Sequence, residues 1–270
     1  GEMINLNFDR GLTSFVIGDS PLRLKPTTTE LNNWATNVNL VVEDNDKGLV
    51  SRDEYMGVYY PAGFTSDNSG NNIVVPASHM VLRTFALNDQ VAYPWFAPAG
   101  TRRGGVSNAT AAGYISNEGE FVSIALNEGQ RDTLQLNNVN PITFINGSGI
   151  VIFGQKTRAR NASSLDRVNV ARLVIYLRSQ LKQVAKPYIY EPNDKLTRDE
   201  LKQQVESLMV ELVSLRALYD FLVVCDDSNN TPARIDRGEL YVDIAIEPVK
   251  AVEFIYIPLR LKNTGEISGL

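Results

Sequence analysis

Residues 166–187 read DRVNVARLVIYLRSQLKQVAKP, and their spacing decides how the second half of the chain folds. Val170, Leu173, Val174, Leu177, Leu181 and Val184 recur at the intervals of one helical face, and Pro187 ends the run. Arg178, Lys182 and Lys186 follow at i, i+4 and i+8 on the other side, with Arg167 close to the same line. Thr197 and Glu200 have the spacing of a capping box. From there Leu201, Val205, Leu208, Leu212, Leu215, Tyr219 and Leu222 continue as a second, longer amphipathic helix. Phe221–Cys225 reads as a passage into a strand. Beyond the polar turn Asp226–Pro232, Leu240, Val242, Ile244 and Ile246 alternate with Glu239, Tyr241, Asp243 and Glu247, the pattern of a half-buried strand. Phe254–Leu261 reads as a last strand, which Pro258 confines to an edge or a bulge.

Upstream the pattern changes. Asn146-Gly147 between Ile142–Ile145 and Ile150–Phe153 signals a hairpin. Residues 94–140 read as irregular: Pro94, Pro98, Gly100, Gly104 and Gly105 mark a surface loop, and 113–136 fits no regular element. Before them come a strand at Ser14–Ile17, a Thr27/Glu30 capping box, and a helix with Leu31, Trp34, Ala35 and Val38 on one face. Tyr55–Tyr60 is the next strand, and Pro76 opens a helix carrying Val81 and Phe85. The expected fold is therefore α/β plus α+β. An N-terminal βαβα layer with irregular loops spans 1–140. A C-terminal two-layer domain of two long helices on a mainly antiparallel sheet, with a terminal edge strand, spans 141–270.

Composition removes most chemistry. His79 and Cys225 are single among 270 residues, which excludes a multi-histidine metal centre, a cysteine zinc site and an intrachain disulfide. Neither accompanies a nucleophile motif; His79 reads as a surface or capping residue and Cys225 as a buried inert thiol. No apolar run approaches the ~20 residues of a membrane span. No signal peptide is visible. The net charge of −5 averages −6 over residues 1–150 with +1 over 151–270, and residues 156–186 alone carry +7. Without interleaved aromatics on the basic face, and with an acidic remainder, that cluster does not read as a nucleic-acid site.

Three segments superficially resemble ligand sites. Gly149-Ile-Val-Ile-Phe-Gly154-Gln-Lys156-Thr157 echoes a phosphate loop, but its spacer is an apolar strand and Gln155 displaces the lysine. A nucleotide- or phosphate-binding α/β enzyme using Gly147–Thr157 is the alternative reading of function. Glu43–Glu54 has the glycine and final glutamate of a calcium loop, with Lys47 where a ligand belongs. Asp226, Asp227, Asn229 and Asn230 are equally the residues of an ordinary turn. No catalytic, cofactor or metal residue is assigned. Two surface features remain. The like charges Arg167, Arg178, Lys182 and Lys186 repel one another, a cost that an acidic partner turns into attraction. The edge strand with Phe254, Ile255, Tyr256, Ile257, Leu259 and Leu261 suits strand addition between molecules.

A collinear set of short motifs carries a family likeness. Ala92-Tyr-Pro-Trp-Phe-Ala-Pro-Ala-Gly100 with Arg103-Gly-Gly105, then Leu136-Asn-Asn-Val-Asn-Pro-Ile142 and Gly149–Thr157, resembles segments of contractile bacteriophage (myovirus) tail sheath proteins. Asp166–Leu173, Glu191-Pro-Asn-Asp194, Asn229-Asn-Thr231 and Ile246-Glu-Pro248 with Glu253-Phe-Ile255 are similar in the same order. Phe15–Pro21, Tyr59-Tyr-Pro61 and Val75-Pro-Ala-Ser78 fit more loosely, so the likeness runs from about Phe15 to Leu261. The sheaths of secretion systems and phage-like particles fit the same residues.

The resemblance implies a structural protein without catalysis or cofactor. Its subunits would stack as helical rings around a tail tube, exchange terminal arms as added strands, and contract on a baseplate trigger to drive the tube through a target envelope. The implied partners are neighbouring sheath subunits, the tail tube protein, and baseplate and tail terminator proteins, with no direct nucleic acid and no membrane. The implied location is the virion tail, with assembly in the host cytoplasm. The family's C-terminal domain faces the tube, which would give Arg167, Arg178, Lys182 and Lys186 their acidic partner. The start close before Phe15 is read as a missing N-terminal arm, and the region near 1–50 as a remnant of an outward-facing domain.

Overall fold

The computed structural model describes residues 2–38, 48–253 and 255–256. Its elements run α1 (Glu2–Asp9), β1 (Val16–Asp19), α2 (Thr28–Thr36), β2 (Met56–Tyr60), β3 (Ala62–Ser66), β4 (Asn72–Val75) and α3 (Ala77–Val91). They continue with α4 (Gly100–Arg103), β5 (Ala111–Ile115), β6 (Phe121–Ser123), α5 (Glu128–Leu136), β7 (Val139–Ile145) and β8 (Gly149–Ile152). The last are α6 (Val168–Ala185), α7 (Lys195–Ser214), β9 (Leu218–Val224), α8 (Pro232–Asp236) and β10 (Asp243–Pro248).

The first sheet has the order β1-β2-β7-β8, with β1, β2 and β7 parallel and β8 antiparallel. All five residues of β2 are buried. Met56, Val58 and Tyr60 meet Leu31, Trp34 and Ala35 of α2 and Leu134 of α5; Tyr59 faces Met80, Val81 and Phe85 of α3. A sheet covered on both faces needs apolar residues at every position, which is why this strand reads as an unbroken apolar run. The predicted hairpin completes this sheet, which thus draws strands from both sides of residue 140. Its turn uses positive φ at Gly147 (81°) and Gly149 (75°), conformations that cost glycine little.

Some expectations need correction. In α2, Thr27 caps the helix by accepting from the Glu30 amide at 3.3 Å, but left-handed Asn37 (φ 58°) ends it, so Val38 is exposed and not on the buried face. Residues 94–140 are not irregular: they contain α4, α5, β5 and β6. β5 and β6 join β3 and β4 in an antiparallel sheet of order β4-β3-β5-β6. Gly113 sits on β5 because the Val122 backbone leaves no room for a Cβ, so the strand lacks the usual β-branched signal. α5 is mostly polar, with Leu134 buried and an Asn127/Gln130 capping box.

The C-terminal unit lays α6 and α7 on the two-stranded antiparallel sheet β9–β10. Leu173 and Leu177 of α6 interlock with Leu201, Val205, Met209 and Leu212 of α7 and Leu218 and Val223 of β9. Each such leucine contributes ~1.5–3 kcal/mol on burial. α7 starts before the expected Thr197/Glu200 box, because the Asp194 carboxylate accepts from the Thr197 amide at 2.9 Å and draws Thr197 into the first turn. It also ends early: Ser214 is its last residue, Arg216 turns left-handed (φ 63°), and the chain returns as β9. Tyr219 and Leu222 therefore stand exposed on a strand and do not extend the helix. Of the expected last strand, Phe254, Ile257, Leu259 and Leu261 lie outside the described residues; Ile255 and Tyr256 pair with no strand among them.

Candidate functional site

The glycine–lysine segment is a structural splice, not a phosphate cradle. Gly147 and Gly149 belong to the hairpin turn, and β8 fills the spacer. A Cβ at Gly154 would meet Asn140 and Pro141, so this glycine permits close approach of two chain segments. The Asn140 side chain, fully buried, accepts from the Lys156 amide at 2.6 Å and donates to the Lys156 carbonyl at 2.8 Å, replacing two ladder bonds. Thr157 donates to the Leu165 carbonyl at 2.7 Å. No helix begins there: the next turn starts at Ser164.

Arg158 lies beyond the segment and is fully buried. Its guanidinium donates to the carbonyls of Ser51 (3.1 Å), Asn137 (2.6 Å) and Leu49 (3.5 Å), and pairs with no carboxylate among the described residues. Burial, with Arg52 acting in the same direction, brings its pKa down to about 10. Three carbonyl dipoles replace the water it lost, and the side chain pins the 48–53 segment to the first sheet.

Two further clusters join distant motifs. Trp95 donates from Nε1 to the Leu215 carbonyl at 3.1 Å, stacks on Tyr93 at 4.7 Å and meets Tyr176 edge-on, clipping the loop before α4 to α6 and the α7–β9 corner. At the far corner Asn229 donates to the Val224 carbonyl (2.8 Å) and the Asp243 carboxylate (2.9 Å). Asn230 accepts from the Tyr241 amide at 2.7 Å and donates to the Tyr241 carbonyl at 2.9 Å, so both asparagines splice β9 to β10. Buried Arg198 bonds Asp227 at 2.8 Å and the Asn193 carbonyl at 3.4 Å, tying the start of α7 to the same corner. These acidic and amide groups are consumed internally. Among the described residues no group of His, Cys, Asp and Glu has the geometry to hold a metal. His79 is exposed, and burial raises the Cys225 thiol pKa.

The +7 segment divides in two. Arg158 is buried, and Arg172 pairs with Asp89 at 2.5 Å and covers the Phe85 ring. Arg167 pairs with Glu253 and Asp166, at 2.5 and 2.9 Å. Arg178 donates to the Leu12 carbonyl at 3.2 Å and lies over the Tyr55 ring, so it fastens the N-terminal segment to α6. Lys182 and Lys186 are exposed, with no carboxylate partner among the described residues. The structure thus keeps Arg178, Lys182 and Lys186 on one flank but leaves only the two lysines of that row uncommitted among the described groups.

β9–β10 shows a different kind of surface. Val223 opposite Ile244 and Phe221 opposite Ile246 face the helices; Leu222 opposite Ala245 and Asp220 opposite Glu247 face away. Tyr219 (66% exposed) and Leu222 (62%) leave an apolar strip there beside two facing carboxylates, a like-charge cross-strand pair. Among the described residues neither strand has a second neighbour, so each has an open edge. Past β10 the chain touches Asn169 at Val249 and Arg167 at Glu253, and Ile255 and Tyr256 are exposed. The sequence reading did not anticipate this open pair, because it assigned Tyr219 and Leu222 to a helix.

Comparison with known proteins gives a consistent result. Residues 160–262 match the family model of the phage tail sheath C-terminal domain. The chain is 34% identical over 190 residues, 70% of its length, to the tail sheath protein of Vibrio phage KVP40. It is 30% identical over 200 residues, 73% of its length, to that of Enterobacteria phage T4. It spans only 27% and 29% of those two relatives. In fold it is similar to a chain of the anti-feeding prophage baseplate in the contracted state, with TM-score 0.75 over 97% of this chain and 68% of that one at 20% identity. A chain of the PVC sheath complex, an extracellular contractile injection system in the contracted state, matches with TM-score 0.72 over 92% and 64% at 18% identity.

Proposed function

The chain is a relative of the phage tail sheath proteins, and on that premise we propose that it is a structural subunit of a contractile tail sheath. It polymerises around a tail tube and contracts to drive the tube through the target cell envelope. The observation that carries this reading is the 34% identity over 190 residues to a tail sheath protein. Its work is mechanical, not catalytic. The internal consumption of the acidic and amide clusters, and the splice built from Gly149–Thr157, support that reading and leave the phosphate-binding alternative without a cradle.

Neighbouring copies form helical rings, and the tube, baseplate and tail terminator proteins are the other partners, in a virion tail assembled in the host cytoplasm. The α6–β10 unit serves as the C-terminal core domain, and the part before it, which includes β7 and β8 in its first sheet, as the α/β domain. Lys182 and Lys186, flanked by Arg178, face an acidic tube surface. Strand exchange uses the open edges of β9–β10 and the terminal segment that contains Phe254, Ile255, Tyr256, Ile257, Leu259 and Leu261. Electron microscopy of the full-length gene product is the test: helical tubes or polysheaths are expected, and their absence under all assembly conditions sinks the reading.

A further inference from the structure

The segment between β10 and Tyr256 is a strap fastened at two points. Near its start, the Val249 amide donates to the Ala217 carbonyl at 3.0 Å, and Asn169 of α6 donates to the Val249 carbonyl at 3.5 Å. At its end stands Glu253, whose two carboxylate oxygens take Nε and Nη2 of Arg167 at 2.5 and 2.8 Å. Gln155 adds a weak third bond to Glu253 at 3.5 Å. The side chains of Arg167 and Glu253 are each 26% exposed. Between these points the strap is flanked by cavities on both sides. One of about 290 Å³ is lined by Arg131, Phe153, Gln155 and Val252, and one of about 580 Å³ by Ser163, Asp166 and Lys250. Past the pair, Ile255 and Tyr256 are 77% and 87% exposed.

A bidentate arginine–carboxylate pair fixes direction as well as distance, because its two parallel bonds forbid rotation. Arg167 itself is held: it is the residue before α6, its guanidinium also meets Asp166 at 2.9 Å, and its backbone bridges to Lys156. The carboxylate therefore docks on a fork anchored to the rigid body. We infer that Arg167 and Glu253 form a clasp that sets the direction in which the C-terminal segment leaves the subunit. Arg167 is a positioning residue for the arm, not a contact to the tube. With a cavity on either side, the strap is held here by this pair rather than by continuous packing. The clasp rests on the sheath reading only for its consequence in assembly; the contact itself is a property of the isolated chain.

The test is a double-mutant cycle with Arg167→Gln, Glu253→Gln and the combined variant, which remove the charges and leave polar side chains in their place. In the isolated chain each single variant should speed hydrogen exchange about tenfold at the Val249 amide, the strap amide that donates to the Ala217 carbonyl, with α6 and α7 unchanged, and the double variant should be no faster than either. Unchanged exchange in the single variants, or additive effects in the double, overturns the clasp. In the full-length gene product the same single variants should reduce polymerisation at least severalfold while circular dichroism stays the same. Normal polymers from a variant with fast strap exchange overturn the claim that the clasp aims the arm. A wild-type product that never polymerises counts against the sheath reading instead, and the exchange cycle still decides the clasp.

Discussion

The two parallel-to-antiparallel extremes of this molecule, the β1-β2-β7-β8 sheet and the β9–β10 pair, solve the edge and face problem in opposite ways. The first has helices on both faces, a fully buried central strand, and a buried arginine that donates to two carbonyls of the 48–53 loop and to the Asn137 carbonyl before β7. The second has helices on one face, an apolar strip on the other, and an open edge on each strand among the described residues. A sheet covered on both sides has no surface left to trade, so it is suited to staying rigid. A two-stranded sheet with a bare face is marginal alone and gains from added strands. Under the proposed function, the difference separates the closed body of the subunit from a surface by which such bodies connect.

That contrast can be broken or sharpened by mutation. The largest effect is expected at Arg158→Ala, which leaves the carbonyls of Ser51, Asn137 and Leu49 without their donor and opens a cavity; about 3–5 kcal/mol should be lost in urea unfolding. A loss below ~1 kcal/mol would mean that the first sheet does not depend on its pin. Asn229→Ala should cost about 2 kcal/mol and act locally, because three acceptors lose one donor group. Its signature is faster hydrogen exchange in β9 and β10 with the first sheet unaffected; a global change would erase the distinction between the two regions.

Acid should separate the regions further. Asp194, capped by the Thr197 amide, Asp226, bonded by Ser228, and Glu239, bonded by Arg237, all have carboxyl pKa values below their ordinary ones. A depressed folded value means that the stabilisation is present above the unfolded carboxylate range and is lost as pH falls through the folded values. Exchange corrected for intrinsic rate should therefore rise at the start of α7 and the β9–β10 corner before it rises in β2 and β7. Simultaneous loosening would contradict this order. The smallest effect on stability belongs to Lys182→Glu with Lys186→Glu, within about 0.5 kcal/mol, since both side chains are exposed and unpaired among the described residues. Under the proposed function the same pair weakens co-sedimentation with tail tubes, and unchanged co-sedimentation removes the tube-facing assignment. Arg178→Glu is a poorer probe, because it also breaks the bond to Leu12.

The sequence by itself determined the elements whose period is long or whose punctuation is strong. The α6 stripe ending at Pro187, the Asn146-Gly147 hairpin and the alternation through Ile244 and Ile246 are local patterns, readable because burial repeats at 3.6 or 2 residues. It also carried the family likeness, since short motifs in a fixed order survive as text. What only the tertiary structure decided were the roles of those motifs. Asn140 and Gly154 are far apart in pattern but share one splice, and Arg158 looks like surface charge until three carbonyls from two separate segments surround it. The same periodicity that revealed α7 also hid its end. Tyr219 and Leu222 keep helical spacing, yet left-handed Arg216 turns the chain back as a strand and puts both side chains outside. The +7 segment was a sum over residues, and a sum cannot say which cations are spent inside. Packing settled that for four of its arginines, because the partners Asp89, Glu253, Leu12 and the carbonyls around Arg158 come from parts of the chain that a local reading never brings together.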